Sequence, residues 1–166
     1  MNIRNNIWYE LVDAKFGEIY LTKYVSFNQN LTKSFNVITL LLSISGILSW
    51  KFFENYIWLV FILIAILQLL SLIENSIIRS RKEIEGIINL KNEYAKYHIK
   101  LEKVWYAINN NSTTEDEASD QFYRLKEKEK IRIDKLDSQL NIKIYKRLKK
   151  KTNTETKSYI KKFYYE

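Results

Sequence analysis

The sequence predicts an all-α membrane protein, built as a two-span transmembrane helical hairpin whose second span continues into a long cytoplasmic helix and then an antiparallel helical hairpin. Three observations point there. The 166 residues contain no proline and only three glycines, isolated at Gly17, Gly46 and Gly86, which suits long helices and denies a β fold its turns. Residues 34–50 and 55–73 carry no charge. The polar remainder repeats its apolar residues every three or four positions, the helical period. Mean hydropathy over the whole chain is −0.31, because the apolar residues are segregated between Phe35 and Ile73.

The same composition strikes out several chemistries. With no cysteine and one histidine, the chain has no disulfide framework, no thiol nucleophile and no Cys/His metal site. Isolated glycines build neither a phosphate-cradling loop nor a dinucleotide fingerprint. The expectation is a protein that is not an enzyme, with no catalytic residues, no metal and no cofactor.

Residues 1–33 are expected to form an amphipathic cytoplasmic or interfacial helix. From Ile7 to Phe27 it carries Trp8, Tyr9, Phe16, Tyr20, Tyr24 and Phe27, and it either lies in the membrane interface or docks on the cytoplasmic helices. A polar neck, residues 28–33, leads on without a Gly or Pro hinge.

Residues 34–73 are the expected hairpin, since a helix of roughly 20 apolar residues crosses the hydrocarbon core. The second run, Ile57 to Leu67, is apolar on every face, and a helix of a water-soluble protein would show a wet side. Between the spans lies a short turn, Lys51 to Tyr56, crowded by Trp50, Phe52, Phe53, Tyr56 and Trp58, the residues of an interfacial belt. An apolar run that begins this far into the chain without a small-residue cleavage pattern does not read as a signal peptide, so the segment is retained. Lys23, Lys33, Arg79, Arg81 and Lys82 flank the spans on one side, whereas the turn has only Lys51 and Glu54. Both termini are therefore expected in the cytoplasm.

Within the spans a polar stripe recurs. Asn36, Thr39, Ser43 and Gly46 share one face of the first helix, and Gln68, Ser71 and Asn75 share one face of the second. Small and hydroxyl residues let membrane helices pack closely; the same residues can line a water-accessible path. Two helices cannot enclose a pore, so the second reading also requires a homo-oligomer, dimer to tetramer. Neither stripe holds a charge, which argues against a proton relay or a substrate transporter. Lys51 and Glu54 would stand at the outer mouth and Glu74 at the inner one.

Residues 74–150 read as a cytoplasmic helical hairpin. Ile84, Ile87, Lys91, Tyr94, His98, Leu101, Trp105 and Ile108 alternate at spacings of three and four, a heptad seam. A helix running unbroken from Ile57 to Ile108 would be about 78 Å long. His98 in such a seam reads as a hydrogen-bonded register residue and is given no chemistry. Thr114 and Glu117 form a capping box after the loop Asn109–Glu117, and a charged helix from Ala118 to about Lys150 should fold back on the seam. The N-terminal helix, both spans and this hairpin are followed by residues 151–166, a basic aromatic tail.

The charge is concentrated late in the chain: 22 of the 27 Lys and Arg residues follow Ile73, and residues 138–166 hold nine against two Glu. Arg79, Arg81 and Lys82, with Lys146, Arg147, Lys149, Lys150 and Lys151, are the candidate phosphate-binding cations. Interleaved with Tyr159, Phe163, Tyr164 and Tyr165, the late cluster offers charge for a phosphate backbone and rings for bases. Anionic lipid headgroups require only the charge, and a solvated basic helix end requires no ligand at all.

The order of an aromatic helix with Trp8, Tyr9, Tyr20, Tyr24 and Phe27, the Trp50–Tyr56 turn, and the polar exit Gln68, Ser71, Glu74 and Asn75 resembles the SLATT family, two-transmembrane effectors of nucleotide-signalling bacterial anti-phage defence systems. The resemblance covers roughly Trp8 to Tyr106. It implies an ion-conducting or membrane-disrupting protein of the bacterial inner membrane, gated by a nucleotide or short oligonucleotide that a partner nucleotidyltransferase makes. This chain shows no appended sensor domain, so the signal would bind its cytoplasmic helices. The alternatives from other classes are a membrane-anchored coiled-coil scaffold and a holin-like lysis protein.

Overall fold

A computed structural model describes residues 2–48 and 57–164, without the side chains at 42, 44–48, 57, 60, 63, 70 and 73–77. The chain is all-helical: α1 (Ile3–Leu48), α2 (Ile57–Ile77), α3 (Arg81–Asn109), α4 (Glu115–Leu125), a π-helical turn (Lys126–Lys130), α5 (Ile131–Leu140) and α6 (Lys146–Tyr164). It divides into two compact units, Met1–Val25 with Lys82–Glu166, and Ser26–Arg81.

The first unit is a four-helix domain. Trp8 meets Trp105 with ring centroids 5.1 Å apart and Gly17 lies against Tyr94, so the first part of α1 runs antiparallel to α3. The α4–π–α5 rod runs antiparallel to α3 on another side, where Lys100 bonds Glu129 at 2.5 Å and Gly86 lies against Leu140. α6 lies along both α1 and α3: His98 faces Tyr159 and Trp105 faces Tyr164, edge to face. Burial of apolar surface drives this assembly. Ile7, Leu11, Ala14 and Tyr24 of α1 are buried in its core, which decides where the aromatic N-terminal helix goes: it docks on the other helices.

α3 is buried along two stripes. Ile87, His98, Leu101 and Ile108 belong to the expected seam, and Leu90, Tyr97 and Val104 form a second one. A helix with neighbours on both flanks needs an apolar arc wider than a coiled-coil seam.

Three features correct the sequence reading. The helix of the second apolar run does not continue unbroken into the seam helix; α2 ends at Ile77 and α3 begins at Arg81. Ser80 and Glu83 stand at capping-box spacing, the local signal for a helix start. Secondly, the helix expected to reach about Lys150 stops at Leu140, where Asn141 adopts a left-handed conformation at φ 43°, one that Asn tolerates better than other non-glycine residues. Residues 141–145 then cross over to α6. Finally, 151–164 are no tail but the body of α6.

The capping box at Thr114 is present as read. Its hydroxyl accepts the Glu117 N–H at 3.2 Å while the Glu117 carboxylate accepts the Thr114 N–H at 3.1 Å. The Thr114 N–H, then the Thr113 hydroxyl at 2.9 Å, hold the Glu117 carboxyl below its usual range. α3 closes on a left-handed Asn111, with the Ser112 N–H donating to the Ala107 carbonyl at 2.9 Å, a Schellman ending.

At the α1–α3 crossing a Cβ on Gly17 would stand 2.6 Å from Cε1 of Tyr94, inside any permitted contact. Gly17→Val is therefore expected to destabilise the helical domain by about 2 kcal/mol in urea titration. Pairing it with Tyr94→Ala should restore part of that loss; identical losses with and without the ring would contradict the close approach.

The second unit comprises residues 26–48 of α1, then α2 and the link to Arg81. The Thr32 hydroxyl donates to the Asn28 carbonyl at 3.0 Å and that of Ser43 to Thr39 at 2.8 Å, so each is satisfied within its own helix. Among the described residues, no helix is long and apolar enough to cross a membrane. Several side chains of the apolar run in α2 lie outside that description.

Candidate functional site

Two surfaces stand out. The first belongs to the 26–81 unit, where Val37, Ile38, Leu40 and Leu41 of α1 are exposed, together with Trp58, Phe61, Ile62, Ile64, Ile66, Leu69 and Leu72 of α2. At about 100° per residue the α2 set spreads over more than half of that helix's circumference. Proteins in water rarely leave so large a contiguous apolar surface uncovered.

The expected polar stripe lies on these helices. Asn36, Ser43, Gln68 and Ser71 are exposed and Thr39 is half-buried, with its Oγ1 enclosed and lacking a hydrogen-bond partner. The surroundings of Gly46, the turn with Lys51 and Glu54, and the side chains of Glu74 and Asn75 lie outside what the structure describes.

The second surface is a basic corner of the helical domain. Lys143, Lys146, Arg147, Lys149, Lys150 and Lys151 are all exposed, and among the described residues none of them makes an ion pair. The corner is held from below by Tyr20, whose buried hydroxyl donates to the Lys143 carbonyl at 2.8 Å and accepts the Tyr145 N–H at 3.0 Å. Burial raises the Tyr20 pKa above its ordinary value, partly opposed by the bond from Tyr145; the phenol stays protonated and able to donate. A groove of about 550 Å³ runs between α1 and α6, lined by Lys23, Arg147, Lys150, Lys151, Thr154 and Glu155. Arg147 and Lys150 are thus brought together with Lys23, a cation that the spacing of the late cluster gave no reason to include. Lys23 itself pairs with Glu155 across the groove.

Of the remaining expected cations, half-buried Arg79 and exposed Arg81 fall in the 26–81 unit, and exposed Lys82 opens the domain's share of α3. Of the late aromatics, Phe163 is exposed, Tyr165 lies outside the described residues, and Tyr164 packs against other rings of the domain. Tyr164 sits edge-on to Trp8 at 5.1 Å and to Trp105 at 5.3 Å, stacks on Tyr106 at 6.0 Å, and donates to Glu102 at 2.6 Å. The ring read as available to bases is structural.

A larger cleft, about 730 Å³, lies between α1, α4 and α6. Its walls include Tyr9, Phe16 and Tyr123, and its charges are Glu10, Asp13, Lys126 and Lys157. Glu10 bridges Lys126 at 3.3 Å and Lys130 at 3.1 Å. Burial works to lower the Lys130 pKa, but Glu10 and Asp13 more than offset it, leaving the ammonium firmly charged. Carboxylates balance ammoniums in this cleft, so it offers no net field for an anion. No local pattern marks this cleft, because its walls come from helices distant along the chain.

His98 is 3% exposed and its Nε2 has no hydrogen-bond partner, so it is not the hydrogen-bonded register residue its heptad position suggested. Burial first, then the Lys15 ammonium, lowers its pKa below 6.5, against weaker opposing pulls from Glu102 and Glu18. The unfolded chain therefore takes up a proton that the native state resists. Its contribution to stability is complete above pH 6.5 and is lost as pH falls from there through the lower native pKa. Equilibrium urea unfolding should show a decline in stability over that window, flattened in His98→Leu; equal slopes in the two proteins would contradict a neutral buried imidazole.

Comparison with protein families, curated proteins and solved structures finds no match for this chain.

Proposed function

We propose that this chain is a homo-oligomeric membrane effector, ion-conducting or membrane-disrupting, whose 34–73 hairpin crosses the bilayer and whose helical domain lies in the cytoplasm. The observation that carries the reading is the exposed apolar surface of α2 and of α1 beyond residue 36, joined to sequence runs of 17 and 19 uncharged residues, 34–50 and 55–73. Lipid chains cover such a surface without cost, whereas water does not. Hydroxyls bonded back to their own helix, as at Ser43, suit the same environment.

A polar stripe without charge would give a path of modest selectivity once several copies turn it toward a shared axis. The resemblance to SLATT effectors makes a nucleotide or short oligonucleotide the signal to try, and bacterial defence against phage the setting. Its phosphates would enter the groove of Lys23, Arg147, Lys150 and Lys151, where cations of two helices converge. Ion flux from vesicles holding the purified oligomer, with and without nucleotides, tests the reading. Flux that Ser43→Leu and Thr39→Leu diminish supports it, and its absence in every condition overturns it. A purely anchoring scaffold would conduct nothing and tolerate both substitutions.

A further inference from the structure

The crossover 141–145 joins α5 to α6, and it carries Ile144, 72% exposed, the most exposed large apolar residue of the helical domain among the described residues. Nothing about chain reversal requires an isoleucine in water. Lys143 and Lys146 flank it, and Lys149 follows one turn on, all exposed. An apolar side chain in a collar of ammoniums matches a phospholipid surface: the chain enters the acyl boundary and the cations meet phosphates.

The place of this corner in the domain supports that occupant. Tyr20 of α1 grips it from the inside, close to Val25, where the chain leaves the domain, and Gly86 packs on Leu140 just beyond Lys82, where it returns. The corner thus sits at the end of the domain from which both connections depart. Only eight residues, 26–33, separate Val25 from the first uncharged run, and eight more, 74–81, separate the second run from Lys82.

We propose that Ile144, with Lys143, Lys146 and Lys149, is a docking corner that seats the helical domain on the anionic headgroups of the leaflet its own hairpin enters. This rests on the membrane reading of residues 34–73. Each lysine near an anionic surface multiplies the binding constant by roughly five, so three together give on the order of a hundredfold. The Tyr20 bonds hold the crossover in place, so docking costs little ordering of the loop.

The absence of native cysteine permits a single-site probe in the full chain. An environment-sensitive fluorophore is attached at Ile144→Cys, at Ile62→Cys in the hairpin, or at Asp120→Cys, exposed on α4. Each protein is reconstituted into vesicles of phosphatidylcholine alone or of equal parts phosphatidylcholine and phosphatidylglycerol, with nitroxide-labelled lipid as quencher. Quenching at 62 in both vesicles, at 144 several-fold more in the anionic ones, and at 120 in neither is expected. Changing Lys143, Lys146 and Lys149 to Glu should abolish the signal at 144 and leave that at 62. Quenching at 62 with none at 144, or equal quenching at 144 in both lipids, overturns the docking corner alone; no quenching at 62 overturns the membrane reading itself. A drop at 144 on adding a soluble nucleotide to neutral vesicles, with no response to phosphatidylglycerol, would assign the corner to a soluble phosphate ligand and overturn the lipid proposal.

Discussion

Tyr164→Ala should lower the stability of the helical domain by about 3 kcal/mol, the cost of removing an aromatic ring from a packed site. The ring touches Trp8 of α1 and both Trp105 and Tyr106 of α3, so its loss opens the junction of three helices. Tyr164→Phe keeps the ring and forfeits only the bond to Glu102, for which about 1 kcal/mol is expected. Tryptophan fluorescence during urea unfolding reads both, since Trp8 and Trp105 report the site directly. A loss below about 0.5 kcal/mol for the alanine variant would return residues 151–164 to the status of a tail.

Ile64→Arg should have a comparable effect on a different equilibrium. Ile64 is exposed near the middle of α2, and exchanging an apolar side chain for arginine at the centre of a membrane helix costs about 3–4 kcal/mol of insertion. The variant should leave the membrane fraction or accumulate in aggregates, and lose any ion flux. An exposed helix in water would gain solubility from the same change. Membrane fractionation of wild type and variant separates the two, because their expected shifts have opposite sign.

How much of this was legible in the sequence depends on how local the signal is. The capping box at Thr114 is a four-residue pattern and the helix begins there as written. Ser80 and Glu83 carry the same pattern, but the uniform apolar period on either side masks the interruption they mark. α6 escaped for a different reason. Its buried positions are Thr152 and Thr156, and the apolar residues at the same spacing, Leu148, Ile160 and Tyr164, stand on either side of them, so the apolar periodicity breaks in the middle of the helix. Thr152 is buried because its hydroxyl donates to the Leu148 carbonyl at 2.9 Å, which satisfies the polar group and lets α6 approach closely.

The candidate site divides along the same line. The late cations were visible as a run, but not that Arg147, Lys150 and Lys151 share a groove with Lys23, more than a hundred residues earlier. Nor does composition show that Tyr20 fixes the crossover beside them. Contacts between helices distant in the chain follow from packing of the whole domain, which no single segment encodes.

The hairpin is tested most directly by its topology. Lys33→Cys, Glu54→Cys and Lys82→Cys, each the only cysteine in its chain, are exposed to a membrane-impermeant maleimide in intact cells and again after permeabilisation. The proposed membrane hairpin predicts labelling at 54 before permeabilisation and at 33 and 82 only after it. Equal labelling at all three positions, in protein recovered from the fraction free of membrane, would contradict it.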